Sequence, residues 1–74
     1  MSFYEDLERL LGWRSEYILA NHRVREWMTV IKNAGDNWRQ GVRHVLSEDQ
    51  YEEPEEKLFI MMLKRLTDLY EGRR

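Results

Sequence analysis

Seventy-four residues without a single cysteine leave room for one small domain and exclude both a disulfide framework and a thiolate-held zinc site. A net charge of −2 gives no overall electrostatic case for nucleic acid. The longest apolar run, 58–63, falls far short of the roughly 20 residues a membrane span needs. A core of this size is marginal without a staple, and with no cysteine the remaining supports are close helix packing and oligomerisation.

The charge is distributed in blocks. Residues 1–13 carry −2, 14–46 carry +3, 47–56 carry −6 and 57–74 carry +3. Blocks of this kind create local patches that steer partners. The opening residues are acidic and reach no apolar export segment, so a cytoplasmic location is expected.

The chain predicts an all-α bundle of three to four short helices in one domain. The first covers 3–11. Ser2 followed by Glu5 forms a capping box, Phe3, Leu7, Leu10 and Leu11 share a face, and Gly12 ends the helix in a left-handed conformation. The second covers 16–33 and carries the clearest periodicity: Tyr17, Ala20, Val24, Trp27, Met28, Ile31 and Ala34 recur every three or four residues. Ser15 is its candidate cap, and Asn21 could cap it again and split it. Asn33-Ala34-Gly35 is a stop signal.

The third helix covers 37–46, capped by Asp36 or Asn37, with Trp38, Val42, Val45 and Leu46 on one face. It could also continue the second with a bend at Gly35. Gly41 weakens it by up to about 1 kcal/mol but admits a close neighbour. An acidic linker fills 47–54. Pro54 then opens the last helix, 55–71, with Glu55 and Glu56 at its positive end and Arg73 and Arg74 at its negative end. That helix is apolar around most of its circumference. Leu58, Met62, Leu66 and Leu69 form one stripe, Phe59, Leu63, Leu66 and Tyr70 the next, and Ile60 and Met61 fall outside both.

Chemistry-bearing motifs are sparse. His22 and Glu26 stand four apart on one helix, but two ligands make no closed metal site, and they read as a solvated pair. The hydroxyls Ser2, Ser15, Ser47, Thr29 and Thr67 mostly sit where capping explains them, no nucleophile elbow exists, and no catalytic residue or cofactor is expected. The four glycines are too dispersed for a phosphate-cradling loop. Six acids between Glu48 and Glu56 read as a solvated linker and helix start, ahead of a docking segment or a phosphate mimic.

Three tryptophans separate into two groups. Trp27 and Trp38 lie on apolar stripes and belong to the core. Trp13, beside Gly12 and Arg14, reads first as a closure of the core end and second as an interface anchor of the kind enriched in hot spots. The expected activity is therefore non-enzymatic protein binding: a modulator, adaptor or inhibitor of a larger machine. It would resemble the small regulators that bacteria and bacteriophages encode, acting for example on a host transcription or nucleic-acid enzyme. Trp13, Arg14, Ile60, Met61 and Lys64 are its candidate interface, and the partner is a second protein or another copy in a homodimer.

The alternative is DNA binding through a helix-turn-helix-like unit at 24–46, read out by Arg39, Gln40 and Arg43. Nucleic acid ranks below protein because Asp36, Gly41 and His44 stand where apolar anchors are needed and the nearby acids repel phosphate. A structural homo-oligomer ranks third.

Overall fold

The computed structural model describes residues 2–48 and 50–72. Asp49 of the acidic linker, and Arg73 and Arg74 at the expected C-terminal dipole site, lie outside them. The described chain is all helical. It comprises α1 (Phe3–Leu11), a 3-10 turn (Gly12–Arg14), α2 (Ser15–Ile18), α3 (His22–Ala34), a second 3-10 turn (Gly35–Asn37), α4 (Trp38–Leu46) and α5 (Pro54–Tyr70).

Helix α1 begins as the capping chemistry predicts: Ser2 Oγ accepts from the Glu5 N–H at 3.1 Å. Gly12 ends it with φ 51° and ψ −133°, so φ is positive as expected but the residue lies outside the left-handed helical basin. Gly35 adopts nearly the same conformation, φ 55° and ψ −122°. Each turns the chain into a 3-10 segment and on into the next helix, at angles that a Cβ makes costly. The second and third helices are accordingly separate.

The expected helix 16–33 is not continuous. Arg14, not Ser15, stands at the cap position, and α2 ends at Ile18. Asn21 then starts a new helix, its Oδ1 accepting from the Val24 N–H at 3.1 Å. An Asn that can satisfy an orphan donor favours a fresh helix start over continuation. As a result Ala20, expected on the apolar stripe, is exposed.

The core draws on every helix. Phe3, Leu7, Leu11, Ile18, Val24, Ile31, Val45, Phe59 and Leu63 are all but fully buried. Two aromatic clusters hold its ends. Phe3 and Trp38 stack with centroids 4.3 Å apart and planes 2° apart, and Tyr70 meets both edge-on. Trp27 packs against Phe59 and, edge-on, against Tyr51. Ring pairs of these geometries contribute about 0.5–1.5 kcal/mol beyond area burial.

Helices α3 and α4 pack closely because Gly41 permits it. A Cβ built there would lie 3.0 Å from Ala34 Cβ and 3.4 Å from Ile31 Cα. The radius of gyration is 11.4 Å, close to the roughly 11 Å expected of a folded chain this long. No helix among the described residues is long and apolar enough to cross a membrane.

Candidate functional site

The acidic segment is an exposed connector that is also tied down at several points. Arg23, in the first turn of α3, donates to Glu48 Oε2 at 2.8 Å and to the Gln50 carbonyl, and lies 3.5 Å from Glu56 Oε1. Its guanidinium also sits 5.0 Å from the centroid of the Trp27 ring. Glu56 is buried, and its carboxylate is saturated: Asn21 Nδ2 donates at 2.8 Å and the Glu52 N–H at 3.1 Å. Asn21 Nδ2 reaches Glu55 as well, at 3.1 Å. That bond, followed by the local backbone and the Tyr17 hydroxyl, holds the Glu55 carboxyl below its ordinary pKa. The Glu48 carboxylate in turn pushes the Arg23 pKa further up.

Half of the acidic run is therefore committed to an intramolecular clasp that fixes the connector over Trp27. The reason is elementary. A carboxylate moved out of water needs donors, and Asn21 and Arg23 supply them.

The other polar candidates are also locally occupied. His22 Nε2 and Glu26 Oε1 are 2.9 Å apart on an exposed helix face, and no group of three metal-ligating side chains exists among the described residues. Ser47, Thr29 and Thr67 donate to carbonyls three or four residues back, as caps and helix hydroxyls do.

The apolar surface is different. Among the described residues, the exposed large apolar side chains are Leu10, Trp13, Tyr17, Met61, Leu69 and Tyr70. All lie on α1, its 3-10 extension, α2 and α5. These elements run alongside one another. At one end Tyr70 donates its hydroxyl to Asp6, a bond that raises the Tyr70 pKa, with burial second. At the other end Asn21 and Tyr17 hold Glu55. The segment from Asp6 to Asn21 thus spans α5 from its last turn to its first, antiparallel to it. Helices α3 and α4 expose no such side chain.

Of the interface residues proposed from sequence, Trp13 and Met61 lie at the surface, 84% and 60% exposed. Trp13 does not close the core, whereas Ile18, five residues on, is fully buried in it. Ile60 does not belong to the interface: it is 4% exposed. It belongs to the core cluster although it falls outside both stripes of α5. Leu10, Tyr17 and Leu69 were expected to point inward and instead lie at the surface, because α1, α2 and α5 have no fourth element across from them. The sequence signal for them was present, since they sit at the edges of their stripes.

Arg14, 5.1 Å from the Trp13 ring centroid, makes no ion pair with a described residue, and neither do Lys57, Lys64 or Arg65. Lys64 lines a groove of about 670 Å³ between α4 and α5. Trp38, Arg39, Arg43, Asp68 and Glu71 also line that groove. There Arg39 covers the Trp38 ring at 4.4 Å, and Gln40 accepts from Asn37 at 2.8 Å. Arg39, Gln40 and Arg43 are all exposed, while Trp38, Val42 and Val45 supply the apolar anchors of α4. Gly41 thus fills an anchor position by close backbone packing.

No protein-family model, no curated protein and no solved structure matches this chain.

Proposed function

We propose that this protein works by binding another protein through the face formed by α1, its 3-10 extension, α2 and α5. The observation that carries this reading is the confinement of exposed large apolar side chains to those elements, headed by an almost fully exposed tryptophan beside an arginine. Burying such a patch removes apolar surface from water, and Trp–Arg pairs are the residues on which binding energy concentrates. A modulator, adaptor or inhibitor acts in this manner, by contact and not by bond-making.

The decisive variant is Trp13→Ala combined with Met61→Lys, since both side chains are exposed and the fold does not need them. Light scattering reads self-association, and cross-linking in cells reads foreign partners. The reading requires at least one of the two to be lost in the variant. If both are unchanged, it is wrong. Ile60→Asp is unsuited to this purpose because it places a charge in the core.

A second reading rests on α4. Arg39, Gln40 and Arg43 are exposed together beside Lys64, and phosphate-directed cations make binding fall steeply with salt. Asp68 and Glu71 in the same groove oppose it. Failure to shift a random duplex at low salt rejects it.

A further inference from the structure

The connector between α4 and α5 is held by side chains, whereas the helices it joins are held by their backbones. Its ends belong to those helices. The Ser47 and Glu48 N–H groups donate to carbonyls of α4, and the Glu53 carbonyl accepts from Glu56 and Lys57 at the start of α5. Between these ends, Gln50 and Glu52 make no backbone–backbone hydrogen bond among the described residues. The Gln50 carbonyl accepts from Arg23 instead, and the Glu52 N–H donates to the Glu56 carboxylate at 3.1 Å. Gln50 and Glu52 are exposed, and Tyr51 between them is half-buried. The Tyr51 ring meets that of Trp27 at 88°, with centroids 5.9 Å apart. Arg23 lies by the same Trp27 ring and also reaches Glu48 Oε2 at 2.8 Å. One guanidinium thus ties the connector at two points, and one tyrosine lays it against the core.

We infer that Gln50–Glu52 forms a latch over Trp27, with Arg23 as its catch, and that it opens as a unit while the helices stay folded. Segments open locally when they have few buried apolar contacts and exposed hydrogen bonds, and this one has both. Opening breaks no helical hydrogen bond, because those at Ser47, Glu48 and Glu53 lie outside the moving residues. The stacking of Trp27 on Phe59 also survives, since Phe59 belongs to α5. What is lost is Tyr51 from the Trp27 ring, together with the acceptors that hold Arg23 to the connector. The Arg23–Glu48 pair is partly exposed, so salt weakens the catch. Release gives Trp27 and Arg23 the solvent access that Trp13 and Arg14 already have. The latch therefore shows or hides a second aromatic–arginine pair according to ionic strength, independently of the docking face.

The test follows hydrogen exchange of the Glu52 amide by NMR in the full chain, beside the Ile31 and Leu63 amides of the core. At low salt the Glu52 amide should be protected, yet exchange faster than the other two. Arg23→Gln should speed its exchange about tenfold and leave Ile31 and Leu63 unchanged. Glu48→Gln, which removes the carboxylate and leaves Arg23 at the ring, should act in the same direction. Sodium chloride at about 1 M, where the Debye length is roughly 3 Å, should speed the Glu52 amide in the native chain and much less in Arg23→Gln. An unprotected Glu52 amide means that no latch closes. Exchange at the rate of Ile31 and Leu63 means that the connector opens only when the whole fold does. Equal acceleration of all three amides by both variants makes the Arg23–Glu48 pair a support of the fold at large. Equal salt effects in the native chain and Arg23→Gln remove Arg23 as the catch. Each of these four results overturns the inference.

Discussion

Every tryptophan in this protein has an arginine on its ring, and the three pairs meet different fates. Arg23 lies over Trp27 at 5.0 Å and Arg39 over Trp38 at 4.4 Å, and both rings are buried, at 3% and 7% exposure. Arg14 lies 5.1 Å from Trp13, which stays open to solvent. The arginine alone does not bury the ring. Around Trp27, the connector and α5 bring Tyr51 and Phe59 across, and Glu48 and Glu56 fix Arg23 in place. Trp13 has no ring partner among the described residues, and no described carboxylate forms an ion pair with Arg14. The first region spends its aromatic on stability, and the second keeps its aromatic available for contact.

That contrast can be broken from both sides. The largest expected effect is at the clasp: Trp27→Ala should cost about 3–5 kcal/mol, enough to abolish or nearly abolish a cooperative thermal transition in a domain this small. Glu56→Ala should follow at about 1–3 kcal/mol, because it removes the buried acceptor shared by Asn21, Arg23 and the Glu52 amide. Urea titration reads both. A loss below about 0.5 kcal/mol for Glu56→Ala would mean the clasp is decorative.

Gly41→Ala tests a smaller term. Alanine gains up to about 1 kcal/mol of helix propensity, but overpacking against Ala34 and Ile31 costs about 1–3 kcal/mol. The net expectation is a lower denaturation midpoint, and a higher one would show that α3 and α4 have room to separate.

The clasp also has a pH signature. The Glu55 pKa is lowered in the folded state from an ordinary 4.5, so its contribution is present above that value and is lost as pH falls through the lower folded pKa. The stability difference between the native protein and Glu55→Gln should therefore shrink as acid is added. A difference that stays constant from neutral pH to about pH 3 would contradict the hydrogen-bond assignment.

The smallest effect is expected at the open face. Trp13→Ala should change stability by no more than about 0.5 kcal/mol. It should also remove the fraction of tryptophan fluorescence that acrylamide quenches readily. A stability loss as large as that of Trp27→Ala would mean that the ring is covered in solution, by a second copy or otherwise.

The chemistry of single residues and their near neighbours was legible in the sequence. Ser2 and Glu5 specify the start of α1 through one side-chain oxygen and one amide, Pro54 opens α5 where its missing N–H is not needed, and Gly12 and Gly35 mark the two corners that demand positive φ. Trp27 and Trp38 could be assigned to the core because their stripes repeat at helical spacing. Asn21 was ambiguous. Its capping bond to Val24 is local, but the competing helical continuation depends on what Leu19 and Ala20 would pack against. Only the tertiary structure decided matters that depend on which elements end up opposite one another. Ile60, outside both stripes of α5, is buried in the core, and Leu69, on one of them, is exposed. Six acids read as a solvated linker until Asn21 and Arg23, some 30 residues away in sequence, are found to donate hydrogen bonds or ion pairs to half of them. Helical periodicity ranks the faces of one helix, but burial is a property of pairs of elements, and the sequence of one element does not contain its neighbour.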